Sequence, residues 1–307
     1  LLRPALPETK VDPTILGSEM FGKNVSAPFF INAMTGGSAA SKQINQALGQ
    51  VAQQQNIALA LGSASILAKE TDQLDSFMVA RAEDPDGVLI VNVNPETPIS
   101  AIKQIIQELN ADALQIHLNT IQEIAMPEGD RDFRWLDSIK AIRTAIDLPI
   151  IIKEVGFGLD QTSIHLLKVN GIEYFDVAGS GGTNFAQIEN ARNASDVSYL
   201  EDLGLPTVVT ALMAWQEQVK FFVSGGVRNP LDILKGLALG GKFVGISNVF
   251  LQEYIQNGST GLEQLITNWK NELAALIAVY GKKDLASLVQ IKKYYDLPLK
   301  AQIDQLL

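Results

Sequence analysis

Ala111-Asp112-Ala113-Leu114-Gln115-Ile116-His117-Leu118-Asn119-Thr120-Ile121-Gln122-Glu123 is the stretch on which the fold turns. Its first half is a short apolar run, the pattern of a strand buried on both faces. Its second half ends that strand in His117, Asn119, Gln122 and Glu123. Burying neutral polar groups without partners costs roughly 2–7 kcal/mol each. Four polar side chains crowded at one strand end therefore mark a site.

Seven other runs read the same way: Pro28–Met34, Ile57–Ser63, Gly87–Val93, Pro149–Gly156, Tyr174–Gly179, Lys220–Gly225 and Phe243–Ser247. With Asp112–Leu118 they make eight strand candidates. Segments with helical spacing lie between them, at 40–54, 71–82, 98–109, 134–146, 160–169, 206–217 and 229–239. Apolar strands alternating with helices predict a parallel sheet covered on both faces. Eight such units predict a closed (β/α)8 TIM barrel of the α/β class, with an open doubly wound sheet as the alternative. The organisation expected is one barrel domain over 1–307: an irregular, proline-bearing lead-in at 1–27, a barrel core at 28–250 and C-terminal helices at 251–307. Those last helices include a long amphipathic one at Leu262–Tyr280.

Composition narrows the function. The 307 residues are 47% hydrophobic, enough for a large core, and carry a formal charge of −10. No basic face is available for nucleic acid. An anionic small substrate needs a local cation or a metal to offset that field. The absence of cysteine removes thiolate nucleophiles, iron–sulfur ligation and cysteine zinc sites. It fits a reducing, cytoplasmic setting. No apolar run reaches the length of a membrane-spanning helix, so no membrane partner is expected.

Polar and glycine residues gather after the strands, and in a barrel those positions share one mouth, where active sites sit. Ser224-Gly225-Gly226-Val227-Arg228-Asn229-Pro230-Leu231-Asp232 ends the seventh strand and opens a helix. Asn229 suits the cap and Pro230 the first helical turn. The glycines let the backbone approach an anion, with free N–H groups pointing at it. Gly245-Ile246-Ser247-Asn248, after the eighth strand, supplies the other half of the usual barrel phosphate site. A cofactor anchored there extends across the mouth. Ala33-Met34-Thr35-Gly36-Gly37 offers small residues and open backbone for a flat ring, and Ser63 and Asn92 offer hydrogen-bonding side chains. Lys153, at the end of the fifth strand, is a cation suited to the N1 edge of a flavin. It does not pair with the Glu154 side chain, because neighbouring strand residues face opposite ways. Ser180 and Thr183, in Gly179-Ser180-Gly181-Gly182-Thr183, add contacts after the sixth strand.

Together these pieces resemble the type 2 isopentenyl-diphosphate isomerases, FMN-dependent (β/α)8 enzymes. The resemblance is carried by Asn32-Ala33-Met34-Thr35-Gly36-Gly37, Leu61-Gly62-Ser63, Asn92, His117-Leu118-Asn119-Thr120-Ile121-Gln122-Glu123 with Gly129-Asp130-Arg131-Asp132-Phe133, Ile152-Lys153-Glu154-Val155-Gly156, Val177-Ala178-Gly179-Ser180-Gly181-Gly182-Thr183 and Ser224-Gly225-Gly226-Val227, in the family's order. The glycine motifs fit several FMN barrels. The His-x-Asn-x-x-Gln-Glu setting is far more specific.

The resemblance implies FMN held by Ala33, Met34, Thr35, Ser63, Asn92, Lys153, Ser180, Thr183, Gly225, Gly226, Val227, Ile246 and Ser247. It implies a magnesium ion on Glu123, bridging to the substrate diphosphate. By the same resemblance, Gln122 would lie beside the reacting alkene, and His117 and Asn119 would orient the substrate. Reduced FMN is expected to be the active form and NADPH its reductant, and the assembly is expected to be a homo-oligomer, a tetramer being favoured. The implied reaction moves a double bond by adding one proton and removing another, with no net redox change. One carboxylate suffices for magnesium, which prefers one or two carboxylates plus phosphate oxygens.

The chain departs from the family in two places. The Arg-Lys pair that members use for the diphosphate is not at its start, where Arg3 precedes Pro4, and is expected upstream of Leu1. Ala64-Ser65 stands where many members carry Gln-Arg.

Two alternatives use the same barrel. An FMN-dependent 2-hydroxy-acid oxidoreductase would need a histidine base after the seventh strand, and neither His117 nor His165 lies there. A flavin carrier without turnover has no use for the polar groups after the fourth strand. His165, on an outer helix, and Trp215 and Trp269 read as structural. Arg131 is expected to lock its loop by pairing with Glu128, Asp130 or Asp132.

Overall fold

The structure, a computed structural model, describes residues 1–192 and 196–307. Near the start, β1 (Ser18–Met20) and β2 (Lys23–Val25) form an antiparallel hairpin. Then come β3 (Phe29–Ile31), β4 (Leu59–Ser63), β5 (Leu89–Val93), β6 (Ala113–Leu118), β7 (Ile150–Glu154), β8 (Tyr174–Asp176), β9 (Lys220–Val223) and β10 (Phe243–Ile246). These eight strands pair in parallel and close as β10-β3-β4-β5-β6-β7-β8-β9. The chain therefore folds as the (β/α)8 barrel, and the open sheet is excluded.

The helices between strands are α1 (Ala39–Gln55), α2 (Asp75–Glu83), α3 (Ile99–Leu109), α4 (Thr120–Ala125), α5 (Leu136–Ala145), α6 (Gln161–Val169), α7 (Phe185–Arg192), α8 (Thr207–Gln216) and α9 (Pro230–Ala238). Local chemistry sets several of their ends. Asn56 and Asn110 stop α1 and α3 in the left-handed conformation, at φ 44° and 45°, just ahead of β4 and β6. Asparagine tolerates that region better than most residues. Asn229 caps α9 by accepting from the Asp232 N–H at 3.1 Å, with Pro230 in the first turn, as its sequence predicts. After the barrel, α10 (Asn248–Val279) joins two helices across a break at Gly258, and α11 (Leu297–Leu306) follows.

Side chains alternate along each strand, which separates two cores. Outward-facing Phe29, Ile31, Leu59, Leu89, Val91, Leu114, Ile116, Ile150 and Ile152 pack on the helices. Inward-facing Phe30, Ala58, Ala60, Ile90, Ala113, Ile151, Phe222 and Phe243 fill the lower barrel. Phe222 meets Phe30 and Phe243 edge to face, with ring centroids 5.7 and 5.8 Å away.

The lead-in is irregular only over residues 1–12; after a single 3₁₀ turn (Pro13–Leu16) it forms the β1–β2 hairpin. Its hairpin stoppers the lower end of the barrel, where Met20 and Val25 join the inner core and Phe21 packs on Tyr174, centroids 5.3 Å apart. Lys23 anchors the hairpin to Asp112 at 2.6 Å, and Arg81 holds the same carboxylate at 3.1 Å. Trp269 is a core residue stacked near Phe250, but Trp215 is half exposed.

Candidate active site

Two residues further along the same strands, the barrel interior changes character. The inward positions become Asn32, Asn92, Gln115, His117, Lys153, Asp176 and Ser224, all buried apart from the partly covered His117. They form one connected network. Ser224 Oγ donates to Asp176 Oδ1 at 2.5 Å, and Asn32 Nδ2 donates to Asp176 Oδ2 at 2.7 Å. Gln115 Nε2 reaches Asn32 Oδ1 at 3.5 Å, and Asn92 Nδ2 donates to Gln115 Oε1 at 2.7 Å. His117 Nδ1 lies 2.8 Å from Asn92 Oδ1.

That last contact assigns the histidine tautomer. Asn92 already uses its amide nitrogen on Gln115, so its oxygen accepts and Nδ1 of His117 carries the proton. Burial, and then the Lys153 charge, pull the His117 pKa down to about 4. The ring is neutral near pH 7, and Nε2 is left as a hydrogen-bond acceptor.

Lys153 pairs in register with His117 on one side and Asp176 on the other. Its ammonium donates to the Glu154 carbonyl at 2.6 Å and lies 3.8 Å from Asp176 Oδ2. A lysine has three donors, so donors remain for a ligand at the mouth. The Glu154 carboxylate points the other way, as alternation requires. Its Oε2 accepts the N–H groups of Val155, Gly156 and Gly158 at 2.6, 2.7 and 3.1 Å, and that of Phe157 as well. Burial pushes its pKa up, opposed by those bonds and by Lys153. This cage fixes the loop after β7.

The chain leaves β6 at Leu118 and turns at once into α4, which carries Gln122 and Glu123 side by side over the mouth. Buried Asn119 joins them: its Nδ2 donates to Glu123 Oε1 at 2.8 Å and to Gln122 Oε1 at 3.4 Å. Glu123 Oε2 accepts the Asp130 N–H at 2.7 Å. Each carboxylate oxygen keeps a lone pair, so Glu123 can still bind a cation. Among the described residues no cluster of three or more His, Asp or Glu could hold a metal without help. A cation here needs oxygens from another source, which a diphosphate provides.

Glu96, Asp130 and Asp132 stand around Glu123. Burial first, and then these carboxylates, raise the pKa of Glu96. Arg131 does lock the loop, but not by pairing with acids. Its guanidinium donates to the carbonyls of Glu123, Met126, Gly129 and Asp130.

Gln122 has a second partner that the sequence did not single out. Its Nε2 donates to Glu189 Oε1 of α7 at 3.3 Å. Glu189 is buried, and Arg192 holds its other oxygen at 2.9 Å. Asn119 and Glu189 thus fix both ends of the Gln122 amide.

The cofactor candidates fall on the same rim. Thr35 donates to Asn45 Oδ1 at 2.6 Å, and its backbone lies against Gly62, where a Cβ would stand 2.0 Å from the Thr35 carbonyl oxygen. Ser63 donates to Ser65 Oγ at 3.1 Å, and that hydroxyl also takes the Asn94 N–H at 2.8 Å. Ser65 thus organises the loops after β4 and β5. Gly225 and Gly226 have φ of 96° and 79°, and a Cβ on either would meet the Gly179 or Gly181 carbonyl oxygen at 2.1 or 2.5 Å. The two glycine loops after β8 and β9 therefore form one wall. Thr207 Oγ1 holds the Gly225 carbonyl at 2.8 Å, and the Ser180 N–H donates to Leu205 O at 2.8 Å. Among the described residues the N–H groups of Gly226, Val227 and Ser247 have no internal acceptor. Val227 and Ile246 bury their side chains among the helices, so only their backbones are offered to a ligand. Thr183 is exposed.

Residues 74–292 match the family model described as FMN-dependent dehydrogenase. Isopentenyl-diphosphate delta-isomerase of Staphylococcus haemolyticus (strain JCSC1435) is 39% identical over 305 residues, 98% of this chain and 87% of that protein. The enzyme of the same name from Latilactobacillus sakei subsp. sakei (strain 23K) is 39% identical over 290 residues, 94% and 83% of the two chains. The chain belongs to the FMN-dependent isopentenyl-diphosphate delta-isomerase family. Among solved structures, a mutant flavocytochrome b2 with benzoylformate superposes at a TM-score of 0.69 and 16% identity, covering 98% of this chain and 80% of that one. Monotopic (S)-mandelate dehydrogenase superposes at 0.67 and 15% identity, covering 93% and 85%. These two share the barrel.

In this isomerase-family chain an apolar cleft of about 450 Å³ also lies outside the barrel, lined mainly by Leu118, Ile121, Phe133, Phe157, Leu166 and Leu205. Neither Lys153 nor His117 faces it, so the mouth is the better site. The residues that sequence reading missed have a signal in retrospect. Gln115 and Asp176 are polar at inward, alternate positions of apolar strands. Glu189 has none, because only packing of α7 against α4 brings it to Gln122.

Proposed function

We propose that this chain interconverts isopentenyl diphosphate and dimethylallyl diphosphate at the barrel mouth, with reduced FMN and Mg²⁺ bound there and NADPH as reductant. The observation that carries this is the convergence of Gln122, Glu123, Asn119 and His117 over a wall of open backbone N–H groups and a buried lysine. Those features fit FMN. Gly225 and Gly226 leave room where a Cβ would clash, and the free N–H groups of Gly226, Val227 and Ser247 suit a phosphate. Ala33, Met34 and Thr35 would line the ring with Ser63 and Asn92, Lys153 would face its N1 edge, and Ser180, Thr183 and Ile246 would complete the rim. When bound, the reduced flavin supplies an acid–base group strong enough to protonate an alkene.

The chain's own residues do the rest. Glu123 holds the cation that brings positive charge to a chain of net charge −10. Asn119 holds Glu123 and Gln122 in register. Gln122 presents an amide whose orientation Glu189 and Asn119 fix before substrate arrives. Neutral His117 offers Nε2 as an acceptor and does not compete for the proton being moved. We read the chain as a cytoplasmic homo-oligomer, on its cysteine-free composition and its likeness to other barrels of this kind. No helix among the described residues is long and apolar enough to cross a membrane.

Purified protein with reduced FMN, Mg²⁺ and isopentenyl diphosphate is expected to yield dimethylallyl diphosphate. Yellow protein that binds FMN tightly yet forms no product would favour a carrier. Flavin reduction by a 2-hydroxy acid would favour an oxidoreductase, although Arg228, the one cation in the loop after β9, is tied to Asp232 at 3.3 Å.

A further inference from the structure

Asp176 is fully buried, carries a carboxylate, and has no part in the chemistry above. It stands at the crossing of three strands. Ser224 from the end of β9 binds one oxygen, and Asn32 from the end of β3 binds the other. That second oxygen lies 3.8 Å from the Lys153 ammonium of β7, which spends a hydrogen bond on the Glu154 carbonyl instead. The carboxylate is therefore near enough to offset the lysine charge without taking up its donors. Two neutral donors keep it fixed there.

A core that needed only packing at this level would place an apolar residue at 176, as it does two residues earlier in the inner layers of β5, β6 and β7. A buried charge is retained at a cost that hydrophobic replacement would avoid. Among the described residues its one ion-pair partner within 4 Å is the lysine that would face the cofactor. The Lys153 charge is felt by its neighbour on β6, since it helps to depress the His117 pKa.

We propose that Asp176 is a positioning residue: it is the counter-charge that holds the Lys153 ammonium at the mouth and limits how strongly that ammonium favours reduced over oxidised flavin. This rests on the reading that FMN lies across the mouth. A flavin gains negative charge on reduction, so the net charge beneath it sets the ratio of its affinities in the two states. Lys153 alone would bias that ratio strongly, and Asp176 moderates it.

The test measures binding of oxidised and of reduced FMN to the wild type, Asp176→Asn, Lys153→Met and the double variant. Asp176→Asn is expected to shift the ratio toward reduced FMN by on the order of tenfold, the scale of one charge screened by a partly polar interior. Lys153→Met is expected to shift it the other way, and the double variant to lie nearer the wild type than either. An unchanged ratio in Asp176→Asn, a shift in the Lys153→Met direction, or a double variant farther from the wild type than Lys153→Met would overturn the proposal. Thermal midpoints of the flavin-free chains supply a second reading should Asp176→Asn fold poorly. Lys153→Met strands a buried carboxylate, so adding Asp176→Asn to it should recover the midpoint; a further fall would also sink the idea. Wild-type protein that takes up no FMN would strike the cofactor reading and this inference together, whereas flavin-loaded wild type with an unmoved ratio strikes this inference alone.

Discussion

The lower and upper halves of the barrel interior are built from the same strands, two residues apart, and do opposite things. Phe30 gives way to Asn32, Ile90 to Asn92, Ala113 to Gln115, Ile151 to Lys153 and Phe222 to Ser224. Below, apolar side chains interlock and the β1–β2 hairpin seals the end. Above, these five positions are polar and tied into one network, while Gly62 and Gly245 follow Ala60 and Phe243. The lower layer stabilises the fold and tolerates no water. The upper layer adds little net stability, because its hydrogen bonds replace those to water. It keeps side chains fixed where a ligand can meet them. One period-two backbone thus separates structure from chemistry by a single step of the pleat.

Substitutions in each half should separate along the same line. The largest effect is expected at the bottom. Phe222→Ala should cost about 3–5 kcal/mol of stability, as large core truncations do. Chemical denaturation would measure it, with flavin binding unchanged in the protein that remains folded. Comparable loss of FMN affinity in that folded protein would erase the division. At the top, Glu123→Gln should lower turnover on the order of 10²–10³, the usual consequence of losing a preorganised electrostatic group, and blunt its response to Mg²⁺. A denaturation midpoint that also dropped sharply would place Glu123 among the structural residues.

The next effect is pH-dependent. Folded His117 takes its proton near pH 4, against 6.5 for an ordinary histidine. The unfolded chain binds more protons between those values, so stability rises with pH through that window and falls as pH drops. The slope is at most about 1.4 kcal/mol per pH unit. His117→Asn should remove that share of it, and urea midpoints at pH 5 and pH 7 would show the difference. Equal slopes in the two proteins would mean that His117 is not held neutral. The smallest effect is expected at Glu189. Glu189→Gln keeps the shape but loses a charged acceptor, worth about 1.5–3 kcal/mol at most. A fall of roughly tenfold in kcat with unchanged FMN affinity would mark it as holding Gln122. Unaltered kinetics would leave it a packing residue tied to Arg192.

Much of this was legible from residue order alone. Eight apolar runs separated by helical spacing announce the barrel because a strand buried on both faces has few other homes. The site motif could be read because polar groups at the end of such a strand are expensive unless used. Short α4 and α7 were not legible, since six to eight residues scarcely show a helical period. The lead-in hairpin was hidden for a related reason: three-residue strands carry almost no pattern.

What the sequence by itself determined is the alternation, hence the barrel, its mouth and some of the groups facing it, but not Gln115 or Asp176. Tertiary structure alone decided which of those groups touch. Asp176 and Lys153 lie on different strands, and Gln122 and Glu189 on different helices. Nothing local links them, because barrel closure and helix packing bring together residues whose separation along the chain carries no signal. Arg131, by contrast, meets carbonyls of its own loop and not its acidic neighbours, because a loop folded back on itself offers its backbone first.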